Sequence, residues 1–249
     1  MKEFIPIFLI HCIPYVITTV FFYILFYILL KQSFKNRKIQ KKEVETKLIK
    51  HEIKNSLLSI LLFSVFIFII FYSPLITYSK IYTKISDYSI GYFIATIAVM
   101  LIAQDTWFYW AHRLMHHKFI FKYIHLVHHK STNPTPFAAY SFHPIEALFE
   151  SLIFYIVLFI IPIHPLALTI AVYLSLLINA YGHLGYEIFP KSIRRTLLFK
   201  IINSSVYHNM HHKNFKGNYG LYFRFWDRIM GTEFKDYEDK FDHVVQDKK

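Results

Sequence analysis

Five apolar runs dictate most of what this chain can become: Phe4 to Leu30, Leu57 to Tyr72, Ile90 to Ala111, Ala147 to Ile161 and Leu166 to Tyr181. A spanning helix needs about 20 apolar residues, and the first and third runs meet that length outright. Hydrophobic residues make up 55% of the chain, with only 6 Gly and 9 Pro, which excludes an ordinary soluble domain. The expected fold is all-α: a polytopic integral membrane protein with four to five membrane-embedded helices. The first run lacks a basic start and a small-residue cleavage site, so it reads as a retained helix rather than a signal peptide. The last two runs are short for full spans and meet at Pro162-Ile-His-Pro165, which suggests a hairpin that enters and leaves one face, with two full spans as the alternative.

Charge sets the orientation. The stretch from Lys31 to Asn55 carries nine Lys or Arg against three Glu, and the chain as a whole is +12. In a membrane protein this reads as the positive-inside bias, so no nucleic-acid partner is implied. With that stretch in the cytoplasm the third run returns there at Trp110, and residues 112–143 and 183–249 share the cytoplasmic side. The aromatic group Trp107, Phe108, Tyr109 and Trp110 reads as an interfacial belt. The chain after Asp236 reads as a charged, fraying tail. A Lys- and Ile-rich, Gly-poor composition points to an AT-rich bacterial genome, hence to a bacterial inner membrane and to a fatty acyl, carotenoid or hopanoid-like lipid.

Nine of the 15 histidines fall in three clusters: His112, His116, His117; His125, His128, His129; and His208, His211, His212. On a helix, residues three and four apart share a face, so each cluster aims two or three imidazoles at one point. Imidazole is a neutral ligand for zinc, iron and copper, and this many exceed what one ion needs. The lone cysteine, Cys12, excludes an intrachain thiolate site, so the ligands must be nitrogen and oxygen. The constellation therefore reads as a two-metal site. His183 closes the fifth run and joins the ligand candidates.

Several neighbours are candidates for a supporting role. Asp105 lies two helical turns before His112 and is placed to orient a histidine. His143 could fix the outer nitrogen of a ligand, which ligating histidines require. Asn179, one turn before His183, is a candidate weak ligand or water holder. His117 lies about a hundred degrees around the helix from His116. Near the C-terminus, Asn218 to Thr232 reads as a buried or membrane-abutting structural segment in which Asp227 could pair with Arg224 or Arg228. The chain contains no phosphate-binding loop, no GxSxG and no HExxH.

These residues resemble the membrane-bound fatty acid hydroxylase and sterol desaturase superfamily. The matching stretches are Asp105-x3-Tyr109-Trp110-x-His112-Arg113-x2-His116, His125-x2-His128-His129, Phe142-His143-Pro144-x-Glu146, Asn179-x3-His183, His208-x2-His211-His212, Tyr219-Gly220, and Trp226-Asp227-x3-Gly231-Thr232. The resemblance divides the chain into N-terminal transmembrane helices with a basic loop, residues 1–89, and a hydroxylase-like catalytic domain, residues 90–249. It implies a membrane oxidoreductase that uses dioxygen and two iron ions, with zinc as a substitute in isolated protein, to hydroxylate or desaturate a lipid. By motif position His112, His116, His125, His128, His129, His183, His208, His211 and His212 look like the metal ligands. Where relatives carry HxxxH this chain has Asn179-x3-His183, so one imidazole is replaced, and His117 is the candidate to compensate. Electrons would come from a separate redox partner, a reductase with ferredoxin or a cytochrome. The competing class is a non-enzymatic membrane metal-binding or metal-transport protein, which would need ionisable residues at mid-membrane depth. The apolar runs are nearly free of them.

Overall fold

The computed structural model describes residues 2–246. It contains ten α-helices and, among the described residues, no β-strand: α1 Phe4–Tyr23, α2 Thr46–Tyr72, α3 Ile90–Met115, α4 Leu126–His129, α5 Pro144–Ile160, α6 Pro165–Gly182, α7 Leu197–Ile201, α8 Ser205–Asn214, α9 Phe225–Ile229 and α10 Tyr237–Val244. Four of these are long and apolar enough to cross a membrane: α1 with its π-helical extension to Leu29, α2, α3 and α6. Helix α5, with 17 residues, is the fifth member of the bundle. Their outer faces carry exposed Ile5, Ile17, Leu61, Ile94, Ile102 and Leu166, as expected where the surrounding solvent is hydrocarbon.

Between the helices small residues take over. Along α6 the i, i+4 row Ala167, Ala171, Ser175 and Asn179 is buried. Small side chains let helix backbones approach closely, which compensates for the missing hydrophobic drive inside a bilayer. The row on α3 that is buried with it is larger: Phe93, Met100, Gln104, Phe108 and His112. Helix α2 buries Ser56, Ser59 and Ser64. Ser56 and Tyr15 both donate to the carbonyl of Phe137, at 2.8 and 2.9 Å, which fixes the 3₁₀ turn Pro136–Tyr140 against the middle of α1 and α2.

The pair α5–α6 traverses the full bundle. At its tip the Ile163 amide donates to the Lys80 carbonyl (3.1 Å), and the Tyr82 amide donates to Ile163 (3.2 Å), so the turn abuts the α2–α3 connection. The pair therefore reaches the end of the bundle away from the histidines, and of its two helices α6 alone is long and apolar enough to cross a membrane. Pro162 and Pro165 end one helix and start the next, since proline cannot donate within a helix interior.

At the opposite end lie the basic loop, the histidine segments and the C-terminal region. Gln40 donates to the carbonyl of Thr132 (2.7 Å) and to Asn209 (2.9 Å), and Asn133 donates to the carbonyl of Lys42 (3.1 Å). The basic stretch thus caps the same end that carries the histidines. The aromatic group on α3 divides: Phe108 and Tyr109 are buried, while Trp110 faces outward. The tail after Asp236 does not fray within the described residues. It forms α10, whose Tyr237, Phe241 and Val244 pack on Tyr207 and Met210 of α8.

The segment 218–232 is largely buried as far as Arg224 and again at Asp227, whereas Phe225, Ile229 and Met230 are exposed, and its charges pair differently from the expectation. Arg224 binds Glu233 through two hydrogen bonds of 2.8 and 2.7 Å and lies over the Tyr237 ring. Asp227 instead accepts from the amides of Tyr219 (2.9 Å) and Gly220 (2.7 Å) and from the Thr232 hydroxyl (2.6 Å). A carboxylate so placed closes the loop as a cap rather than as an ion pair. Gly220 is required there, because a β-carbon would overlap the Phe223 carbonyl. Asp227→Ala strands three buried donors and is expected to cost about 2–5 kcal/mol. Thermal unfolding in detergent checks this, with Asp227→Asn expected to lose less.

Candidate metal centre

The nine motif histidines converge, and they do so in two groups. His112, His116, His125, His129 and His211 form one; His128, His183, His208 and His212 form the other. Within each group one ring nitrogen per residue lies within 4.8 Å of all the others.

The grouping differs from the expectation that each cluster aims at one point. In His125-x2-His128-His129, the first and last rings join the five-histidine group and His128 joins the other. In His208-x2-His211-His212, the first and last join the four-histidine group and His211 crosses over. Helical geometry explains the split. Residues i and i+4 lie about 40 degrees apart around the axis, whereas i+3 and i+4 diverge by about 100 degrees. Each short helix therefore serves both groups, and the two helices exchange one ring each. Helix α3 supplies the i, i+4 pair His112 and His116, with His116 as its C-cap, and α6 ends on His183.

Five outer nitrogens are tied to acceptors. Nδ1–H of His112 donates to the Tyr219 carbonyl (2.8 Å), His125 to Glu146 (2.7 Å), His128 to the Ser141 carbonyl (3.3 Å), His183 to the Asn179 carbonyl (2.8 Å) and His211 to the Gly217 carbonyl (2.7 Å). A neutral imidazole has one proton, so a ring that donates from Nδ1 presents a bare lone pair at Nε2. The Nε2 atoms of His128 and His183 nevertheless lie 3.3 Å apart, and those of His208 and His183 lie 3.0 Å apart. In the other group Nε2 of His211 is 3.0 Å from His129 and 3.2 Å from His116. Nε2 of His112 and of His125 are buried without any hydrogen-bond partner. Where both rings are committed at Nδ1, as in His128 and His183, the facing lone pairs repel unless a cation lies between them. Two ligands on one ion at about 2.1 Å, subtending about 90 to 110 degrees, are separated by about 3.0 to 3.4 Å. The donor set and its spacing fit a bound metal ion in each group.

The supporting candidates fare differently. Asp105 orients no histidine; its carboxylate accepts from the amides of Tyr222 (2.7 Å) and Phe223 (3.1 Å) and ties the C-terminal segment to α3. His143 is the N-cap of α5, its Nδ1 accepting from the Ile145 amide (3.2 Å), and it does not support a cluster ring. His117 is exposed beside Phe119 and joins neither group, so it does not compensate for Asn179. The Asn179 side chain donates to the Ala139 carbonyl (2.6 Å), and its own carbonyl holds His183. Glu146, quoted in the motif but given no role, is the carboxylate partner of His125. The signal for it was its place just after His143-Pro144, which put it on the first turn of α5.

A cavity of about 620 Å³ lies between α1, α2, α3, α5 and α6, lined by Phe63, Phe108, Tyr140, Phe142, Leu176 and Leu221 among others. It reaches the histidines through two of these walls. The Phe142 ring is 5.2 Å from that of His128, and the Phe108 ring is 4.8 Å from that of His112.

Fold and centre together define a polytopic helical membrane protein built around a buried two-compartment polyhistidine site. Residues 97–232 match the fatty acid hydroxylase family, more than half of the chain, and the protein belongs to that family, within the fatty acid hydroxylase and sterol desaturase superfamily. Relatives include the lathosterol oxidases of Rattus norvegicus, 38% identical over 62% of this chain and 51% of the relative, and of Homo sapiens, 35% identical over 74% and 60%. A Delta(7)-sterol 5(6)-desaturase of Gibberella zeae is 33% identical over 62% of this chain and 42% of its own length. The chain thus spans about half the length of the curated relatives it matches. No solved structure matches it. These animal and fungal relatives support lipid oxidoreductase activity and give no support to a bacterial inner membrane.

Burial, followed by the neighbouring imidazoles, holds His125, His128, His129, His208 and His212 well below the usual range, and burial alone brings His183 down to about 4. In metal-free protein the unfolded chain takes up protons below about pH 6.5, while the folded chain does not. The histidines' contribution to stability is therefore full above that pH and is lost as the pH drops from about 6.5 toward 4, while a buried carboxyl such as Glu187, raised by burial, acts in the opposite sense. His183 alone accounts for about 3 kcal/mol over that window. Unfolding midpoints of chelator-stripped protein across this range check the sign.

Proposed function

We propose that this chain is a dioxygen-dependent oxidoreductase that hydroxylates or desaturates a C–H bond of a lipid, with the nine histidines His112, His116, His125, His128, His129, His183, His208, His211 and His212 holding two iron ions. The observation that supports it best is the set of facing Nε2 lone pairs, oriented by acceptors at Nδ1 and placed beside an apolar cavity. Unactivated C–H bonds lack an acid–base handle, so the bound metal supplies the redox chemistry. The protein supplies the rest. Carbonyls and Glu146 fix the ring orientations, burial keeps the imidazoles neutral, and the cavity walls hold an apolar substrate away from water.

The names of the relatives favour a sterol-like lipid over a straight acyl chain. The basic loop packs over the histidine end, and the positive-inside bias of such a loop supports a cytoplasmic site open to a separate reductase. Residues 90–249 carry the whole centre, and residues 1–89 contribute α1 and α2 to the cavity wall.

Lipid analysis of a host expressing the wild type beside His128→Ala, with iron and zinc counted on both purified proteins, tests the proposal. A lipid that gains one oxygen or loses two hydrogens only with wild type, together with metal lost from the variant, is expected. Folded protein that binds no metal would overturn it. Glu146→Gln is expected to weaken metal binding about 10–100-fold, as removal of a ligand's hydrogen-bond partner does, without unfolding the bundle. Metal titration of the two proteins measures that.

A further inference from the structure

The cavity wall carries one carboxyl group that the metal centre does not use. Glu150, on α5 one turn beyond Glu146, is buried at 5% exposure, and neither of its carboxyl oxygens has a hydrogen-bond partner. Gln104, on the facing helix α3, donates its amide N–H to the Glu150 backbone carbonyl (3.2 Å), and its side-chain oxygen is likewise buried and unpartnered. Both residues line the cavity.

Several other polar groups on or beside this wall are engaged within the protein. Ser151 donates to the Ala147 carbonyl, Tyr155 to the Phe63 carbonyl, Asn179 to the Ala139 carbonyl, and Tyr222 holds Ser175. Buried polar atoms are nearly always paired, so two adjacent residues with three free oxygens point to a partner that belongs to a ligand.

The chemistry of the partner follows from the donor set. The Gln104 oxygen can only accept, because its amide N–H is already committed. A carboxyl group in apolar surroundings avoids carrying an isolated charge, and in its protonated form it donates one hydrogen bond and accepts others. A hydroxyl matches both, donating to Gln104 and accepting from Glu150. An ionised carboxylate matches only in part: it can accept from the protonated Glu150, but it cannot donate to Gln104 and it carries an isolated charge into apolar surroundings. We infer that Glu150 and Gln104 form a recognition site for the hydroxyl of a neutral lipid alcohol and exclude free fatty acids. The inference rests on the proposed reading that the cavity holds the lipid substrate.

The site also sets a register. Glu150 lies one turn along α5 from Glu146, which holds His125, and Gln104 lies about two turns along α3 from His112. A hydroxyl fixed there positions the attached skeleton at a constant depth relative to the histidines. Glu150 is thus a specificity residue that touches substrate at a distance from the reacting carbon.

Binding of cholestanol and of cholestane to metal-loaded protein in nanodiscs tests this, with octadecanol and octadecanoate as a second pair. Wild type is expected to bind each alcohol about tenfold more tightly than its counterpart, the scale of one satisfied buried hydrogen bond. Glu150→Leu should abolish that preference while still binding cholestane, which also reports that the variant is folded. Glu150→Gln keeps a donor and an acceptor and should retain most of the preference. Equal binding of cholestanol and cholestane by wild type would overturn hydroxyl recognition while leaving the cavity as a lipid site. A preference unchanged in Glu150→Leu would overturn the assignment to Glu150. Folded, metal-loaded protein that binds none of the four overturns both this inference and the lipid-cavity reading beneath it.

Discussion

Mutual repulsion of imidazole lone pairs is the constraint on which the rest of the structure depends. Nine rings converge, seven of them with Nε2 atoms about 3.0 to 3.3 Å from another ring's, and for His128 and His183 the acceptors behind both rings leave no proton to place between them. Such a centre is tolerable only around cations, so the surrounding fold is in effect a device for holding unfavourable neighbours in place. The elements that do this come from far apart in the sequence. The end of α3, the start of α5, the end of α6 and the loop after α8 all supply either a ring or the acceptor behind one. The Asp227 cap matters for the same reason: it fixes the loop whose Tyr219 carbonyl orients His112.

The crossed arrangement of α4 and α8 has an energetic consequence. Because each short helix places rings in both groups, neither group can reorganise alone. Loss of His128 removes a donor from the four-histidine group and also frees the turn that carries His125 and His129 in the other. Sites that share a rigid element couple in this way without any direct contact between their centres. The hydrogen bonds at Nδ1 extend the coupling outward to α5 through Glu146 and to α6 through Asn179.

Much of this was legible in the sequence, for physical reasons that also mark where reading stops. Apolar runs announce spanning helices because a bilayer leaves no alternative partner for backbone polar groups. Eight histidines at i, i+3 and i+4 spacing announce convergence because nothing else places so many imidazoles in an apolar chain. The division of each HxxHH between two groups is not legible from spacing, since the same angular offsets serve one site or two according to where the neighbouring helices lie. The acceptors were harder still. Asp105 was the natural candidate to orient a histidine, yet it binds the amides of Tyr222 and Phe223, while backbone carbonyls of Tyr219, Ser141 and Gly217 do that work. Backbone acceptors leave no trace in residue identity. The depth of the α5–α6 pair and the folding of α10 on α8 likewise depend on contacts made more than thirty residues away.

The two groups are unequal, and the inequality falls where the cavity is. Helix α3 presents the pair His112 and His116 to its group, whereas the corresponding position on α6 holds Asn179, whose amide is turned to Ala139. Asn179 is also a wall of the cavity. The group with fewer nitrogens is therefore the one whose missing imidazole would have stood against the apolar chamber. In the proposed enzyme that difference has a direct reading: a catalytic metal needs an open position, and a structural one does not. Replacing an i, i+4 histidine by asparagine removes a donor while its backbone carbonyl still orients His183. In the proposed enzyme this would leave the four-histidine group one donor short beside the cavity, with His183 still held by the Asn179 carbonyl.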